Sequence, residues 1–151
     1  MKKYLTLSNV CKCVAVLFGL VAFFVMFADQ VYVEFFGEKG YVGFEDALFA
    51  ENGAAISFVG YLFALLASLG VCATIFIKLD AKVKKIVSLA LAGLLLIAGI
   101  FIFIEAAVIN GNTDSTAFKL AAGPIVGGLF SFIAAISVAA SEFVPDKALV
   151  K

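Results

Sequence analysis

The chain of 151 residues is long enough for one soluble domain, but its composition does not fit one. Hydrophobic residues make up 64 % and charged residues only 15 %, against about 45–50 % and about 25 % in typical soluble proteins. Eleven basic residues, all lysine, balance eleven acids, so the chain offers no strongly basic face for nucleic acid. These values predict an integral membrane protein.

Four apolar stretches are long enough to cross a bilayer as helices, at about 10–29, 53–78, 86–109 and 118–141. A hydrocarbon core about 30 Å thick needs roughly 20 helical residues, and the alternation typical of barrel strands is absent. The first stretch contains Lys12, whose ammonium we expect to extend to the lipid headgroups. Short connections then predict an antiparallel four-helix bundle, a single all-α membrane domain over residues 1–151.

The segment between the first two spans, residues 30–52, is the largest piece outside the expected spans. Apolar and polar residues alternate from Val31 to Phe36, and residues 37–40 supply turn chemistry before a second short apolar run. This pattern predicts a short β-hairpin, followed by one helical turn in the sequence EDALF. Counted from Asp29, six acids against one lysine make the segment acidic.

The lysines are distributed unevenly between the two sides of such a bundle. Nine lie on the side of both termini and of the short loop at 79–85, and only Lys39 and Lys119 lie on the other. Since positively charged segments resist translocation, we expect both termini in the cytoplasm and the acidic segment outside. The alternative for the N-terminus is a cleaved signal peptide, but Met26 would stand where the cleavage site needs a small residue.

Small residues recur every four positions in the second and fourth spans. Lipid provides no hydrophobic drive for helix association, so helix contacts in membranes use small side chains that allow close approach. The spacing predicts one contact face on each helix. The residues on these faces are Gly60, Ala64, Ser68 and Cys72 in the second span, and Gly123, Gly127, Ser131, Ala135 and Ala139 in the fourth.

Glu105 is a charged residue within apolar sequence, with IFIFI before it and AAVI after it. A carboxylate in that setting is a candidate functional group. Asp29 at the end of the first span and Lys119 at the start of the fourth are expected at the same membrane level. We therefore expect these three to cluster, either as a salt bridge that fixes helix ends, as a proton or cation site, or simply in water.

The sequence contains no recognisable catalytic arrangement. It has no histidine and no GxSxG, HExxH or Walker motif. Cys11, Cys13 and Cys72 make a poor metal set, because structural zinc usually takes four nitrogen or sulfur ligands. We expect no enzymatic activity, no metal and no cofactor, and we interpret the cysteines as small buried hydrophobic residues.

The layout of four spans with a larger, partly β first outer loop resembles that of claudin-type tetraspan proteins in architecture alone. Their Trp and Cys-pair signature is missing from residues 29–53. The stretches MKKYLTL, GFEDALFAENGAAISFVGYLFALLA and KLDAKVKK are similar to those of small four-span membrane proteins of low-GC Gram-positive bacteria. This second resemblance implies a bacterial inner membrane.

The sequence favours a non-enzymatic structural or accessory subunit that binds lipid and packs against itself or a larger membrane partner. Its acidic outer segment would provide recognition. The alternative is a small transporter or channel subunit that uses Glu105 in a proton or cation path. Such a path should continue as polar residues, yet the third span below Glu105 has only Ser88.

Overall fold

A computed structural model describes residues 6–144 and consists of four long helices with a small sheet at one end. The helices are α1 (Leu7–Phe24), α2 (Phe44–Phe49), α3 (Ala55–Phe76), α4 (Ala81–Phe103), α5 (Glu105–Asn112) and α6 (Ala122–Ser141), and the strands are β1 (Val31–Phe35), β2 (Glu38–Val42) and β3 (Phe118–Leu120). Helices α1, α3, α4 and α6 are long and apolar enough to cross a membrane. The protein is therefore a multi-pass membrane protein, and the predicted four-helix bundle is confirmed.

The four long helices form a ring in which each packs against two neighbours. Helix α1 packs on α3 and α6, and α4 packs on the same two helices from the other side. The interior is built from small residues such as Ala22, Ala64 and Ala98, which lie in one buried layer. Large apolar side chains such as Leu66 and Ile136 point outward, as lipid contact requires.

All seven of the glycine, alanine and serine positions Gly60, Ala64, Ser68, Gly123, Gly127, Ser131 and Ala135 are buried, and they serve different neighbours. A Cβ added to Gly60 would lie 2.9 Å from the carbonyl oxygen of Ala98 on α4, whereas Ser68 touches Gly19 on α1. The sequence did not reveal a second type of contact between α4 and α6. There, the ring of Phe132 packs on Gly99.

Gly127 offers a test of this packing, because its missing side chain is what lets α6 approach α1. A Cβ there would lie 3.1 Å from Val25 and 3.3 Å from the carbonyl oxygen of Ala22. A Cβ added to Gly93 on α4 would meet no atom within 4 Å among the described residues, apart from its own stretch of helix. We expect Gly127→Leu to lower the free energy of unfolding in detergent by about 3 kcal/mol. Gly93→Leu, the matched control, should be neutral or raise it slightly, since leucine favours helix more than glycine. Equal losses in the two variants would contradict close packing at Gly127.

The predicted hairpin is present, but its turn lies earlier and a third strand joins it. Phe35 pairs with Glu38, so Phe36 and Gly37 form the two-residue turn that had been expected at 37–40. Strand β3 pairs antiparallel with the other side of β1, which gives the order β2-β1-β3. We call residues 29–54 and 105–121 the cap, the adjoining end of the bundle the cap end, and the opposite end the lysine-rich end.

Strand β3 corrects the expected start of the fourth span at 118. Residues 118–120 are extended and the helix begins at Ala122, with Pro124 in its first turn, where a missing N–H is tolerated. The backbone of β3 forms hydrogen bonds with the side of β1 that β2 leaves open. Strand β1 lies far from β3 in the sequence. Three residues are too few to show the alternation of polar and apolar residues that is typical of a strand, so the sequence did not predict β3.

The third span also differs from the expected range of 86–109. Helix α4 starts at Ala81, so most of the expected loop at 79–85 is its first turn, and it ends at Phe103. After a break at Ile104 the chain continues as α5, which begins with Glu105 and belongs to the cap. Glu105 therefore lies just beyond the span that was expected to contain it.

Candidate functional site

Two buried side chains at the cap end, Gln30 and Tyr61, join the helices to the sheet. Gln30 Nε2 donates to the carbonyl oxygens of Met26 and Ala28, both at 2.7 Å, and its Oε1 accepts from the Tyr61 hydroxyl at 2.8 Å. Both residues are fully buried, so these hydrogen bonds compensate for polar atoms taken out of water. Neither residue could be singled out from the sequence, since an isolated Gln at a span end carries no pattern.

Glu105 lies near this pair with its carboxyl group wholly buried. Within residues 6–144 neither of its oxygens has a hydrogen-bond partner, although Tyr61 is near enough to interact with it electrostatically. Burial raises the pKa of Glu105 from its ordinary value of 4.5 to about 8, because a charged carboxylate loses its hydration there. The group is thus mainly protonated at neutral pH.

The expected cluster of Asp29, Glu105 and Lys119 is not formed, and this prediction is wrong. Lys119 is exposed on β3, and its ammonium lies 3.4 Å from the Glu34 carboxylate. Asp29 is exposed too, and its backbone oxygen accepts from the N–H of Gly123. The reason is the strand: alternation along β3 turns Lys119 to the water-facing side of the sheet, away from the bundle core.

At the lysine-rich end, Lys12 is buried instead of extending to the lipid headgroups as expected. Its ammonium lies 2.8 Å from the Glu142 carboxylate and donates to Ser88 Oγ at 3.1 Å. These contacts connect α1, α4 and the residue that follows α6. A buried ammonium with an ion-pair partner and a hydroxyl acceptor is tolerated inside a bundle, so Lys12 points inward.

Glu142 has a pKa that reflects this contact. Partial burial acts to raise the pKa, but hydrogen bonds from Lys12 and Ser88 and the positive charges of Lys12 and Lys84 outweigh it. The net effect is a pKa below the ordinary value of 4.5. The carboxyl group of Glu142 is therefore ionised at neutral pH.

Between the two ends, the interior of the described bundle is closed by apolar side chains. Its middle consists of a cluster that includes Ala15, Leu95 and Val138. Two buried hydroxyls lie in this region: Ser68 donates to the carbonyl of its own helix, and Ser131 Oγ has no partner within residues 6–144. No continuous row of polar groups links Glu105 to Lys12 through the part of the chain described.

The cysteines are less buried than expected. Cys13 is exposed, and Cys11 and Cys72 are half-buried. They face the bundle surface near the lysine-rich end, which corrects their interpretation as core residues. Among residues 6–144, no three Cys, Asp or Glu side chains come close enough to hold a metal ion.

The hairpin tip is the most exposed apolar feature of the cap. Phe36 is fully exposed, and it has a positive φ of 50°, followed by Gly37 at 86°. Phe35 and Tyr41 are also more than half exposed beside it. Because the turn was expected later in the sequence, the exposure of this tip was not predicted.

Comparison with protein-family models, with curated proteins and with solved structures gives no match for this chain. What the protein does must therefore follow from its own geometry. The candidate features are a buried acid at the cap end, a buried ion pair at the lysine-rich end and an exposed aromatic tip.

Proposed function

We propose that the protein is a non-enzymatic subunit of a bacterial plasma membrane that binds a second copy or a larger membrane partner through its cap. The cap lies outside the cell and both termini lie in the cytoplasm. The uneven lysine distribution supports this orientation: among the described residues, Lys39 and Lys119 belong to the cap, whereas five lysines lie at the opposite end, namely Lys12, Lys78, Lys82, Lys84 and Lys85. The observation that carries the proposal is the full exposure of Phe36 at a turn position with positive φ.

Phe36 occupies a position that folding alone does not favour. A two-residue turn with both φ values positive prefers Asn, Asp or Gly at its first position, and a bulky residue there costs on the order of 1 kcal/mol. Among residues 6–144 no contact of the Phe36 side chain offsets this cost, since the side chain is fully exposed. A partner that buries it would gain roughly 1.5–3 kcal/mol.

The charge of the cap indicates the chemistry of that partner. The exposed acids of the cap outnumber its exposed lysines. The lysines are Lys39 and Lys119, and the acids are Asp29, Glu34, Glu38, Glu45, Asp46, Glu51 and Asp114. Such an excess attracts positive surfaces and repels negative ones. The partner surface should thus combine an apolar pocket for Phe36 with basic residues around it.

Site-specific crosslinking in native membranes tests the proposal. A photoreactive phenylalanine analogue in place of Tyr41 should give one defined adduct, and Phe36→Asn in the same chain should abolish it. Asn suits the turn, so Phe36→Asn should leave thermal stability equal or higher. The analogue in place of Phe143, an exposed aromatic residue at the lysine-rich end, is the control and should not give that adduct. Retention of the adduct in Phe36→Asn would contradict recognition through the tip.

The alternative function, a proton or cation transporter subunit, is favoured by one observation: the buried carboxyl of Glu105 has no partner in residues 6–144. The closed apolar middle of the bundle argues against it. Purified protein in proteoliposomes decides between the two. Proton or cation flux that Glu105→Gln abolishes without loss of stability would favour the transporter, and flux equal to that of empty vesicles would favour the partner-binding subunit.

A further inference from the structure

A cavity of about 350 Å³, open to the surface on one side, lies between the sheet, α2 and α5. Its walls are mostly apolar, with Val31, Val42, Ala47, Ile109 and Phe118 among the lining residues. Small-molecule sites in proteins fall at about 300–1,000 Å³, so the cavity lies at the lower end of that range. The cavity therefore has the size and lining of a small ligand site.

Hydrogen bonds between the walls hold the cavity open. Asn110 on α5 bonds both backbone groups of Phe118 on β3, accepting at 3.0 Å and donating at 2.9 Å. Asn112 Nδ2 donates to the backbone oxygens of Gly53 at 3.1 Å and Asn52 at 3.3 Å. These bonds fix the spacing of α5 from β3 and from the loop before α3, so the site is preformed, which lowers the cost of binding.

Asp46 gives the cavity its charge. It is both a lining residue and exposed, so it stands where the cavity opens to the surface. Thr113, another lining residue, already donates its hydroxyl to the carbonyl of Ile109 at 2.8 Å. The acidic surroundings of the cap add to the negative potential at the entrance.

We propose that this cavity binds a small primary amine, with its apolar part inside and its ammonium group on the Asp46 carboxylate. A neutral apolar molecule would leave the charge at the mouth unused, and an anion would meet the acidic cap. The inference goes beyond partner binding at the hairpin tip and does not depend on it, since the tip takes no part in lining the cavity.

Fluorine NMR titration tests the site on the full chain in nanodiscs of zwitterionic lipid, with para-fluorophenethylammonium as the probe. We expect saturable binding with a dissociation constant on the order of 1 mM or tighter. Asp46→Asn, or replacement of the probe by the neutral para-fluorophenylethanol, should weaken binding about fivefold, the factor of an exposed ion pair. Glu45→Gln is the matched control, because it removes a neighbouring exposed charge that does not line the cavity, and it should bind as the unsubstituted protein does.

Two substitutions from different walls fill the cavity and guard against a folding defect in either one. Ala50→Leu and Thr113→Leu should each weaken binding about tenfold while thermal stability stays equal or rises, since a filled void gains contacts. Binding unchanged in both would overturn the assignment to the cavity. Equal affinity of Asp46→Asn and Glu45→Gln would overturn the role of Asp46, and a titration without saturation would overturn the proposal as a whole.

Discussion

Glu142→Gln is expected to destabilise the bundle by about 3 kcal/mol, because it leaves the buried ammonium of Lys12 without a counter-charge. Lys12→Met should cost less. Its partner Glu142 is 11 % exposed, against 1 % for Lys12, and can turn toward water. The double variant should recover most of the loss, since two neutral side chains leave no unpaired charge. Unfolding at pH 7 in detergent, followed by far-UV circular dichroism, measures all three.

The exposed pair of Lys119 and Glu34 is the matched control for this experiment. Its side chains are 56 % and 45 % exposed, so Lys119→Met should change stability by less than about 0.5 kcal/mol. The pKa of Glu142 is lowered on folding from its ordinary value of 4.5. The buried pair therefore contributes its full stabilisation above about pH 4.5. This contribution is lost as the pH falls through the folded pKa. A Glu142→Gln protein as stable as the unsubstituted one would show that the pair does not hold the helices together.

The four helices and their small-residue faces could be predicted because both signals are local. An apolar run of about 20 residues is typical of a membrane-spanning helix. Glycine or serine at every fourth position lies along one side of such a helix. Gly60 and Gly127 are buried against neighbouring helices as that spacing indicated. Which neighbour each one meets depends on the order of helices around the ring, and single-helix spacing does not contain that information.

Lys12 shows why the polar contacts were harder to predict. A lysine near a span end can reach the headgroups or turn inward, and the residues around it are the same in both cases. What decides is the presence of Ser88 on α4 and of Glu142 directly after α6, both of which contact the ammonium group. Phe36 was missed for a different reason, since its exposure follows from a turn at 35–38, two residues earlier than the expected 37–40.

Glu105 was recognised as a buried acid, yet its partner was assigned wrongly. The pairing with Lys119 assumed that residue 119 opens a helix, and β3 removes that assumption. A salt bridge would hold the carboxylate ionised, whereas burial without a donor among residues 6–144 keeps it neutral. The two arrangements predict opposite effects of pH on stability. A salt-bridged carboxylate would lose its stabilising contribution as the pH falls, whereas a buried neutral carboxyl lowers stability as the pH rises.

Glu105→Gln is therefore expected to leave the protein about equally stable at pH 5 and to make it more stable than the unsubstituted chain at pH 9. The folded state keeps a proton on Glu105 up to a pKa of about 8, while the unfolded chain releases it near 4.5. Stability of the unsubstituted protein should fall as the pH rises across this window, by up to about 1.4 kcal/mol per pH unit. Glutamine, which does not titrate, removes that slope.

The measurement is the free energy of unfolding from pH 5 to pH 9 for the unsubstituted chain and for Glu105→Gln. Glu34→Gln, at an exposed acid of the cap, serves as the control and should keep the slope. Parallel pH profiles for the unsubstituted chain and Glu105→Gln would contradict a neutral buried carboxyl. A loss in Glu105→Gln at pH 7 that Lys119→Gln restores would reinstate the salt bridge, because only direct coupling gives such recovery.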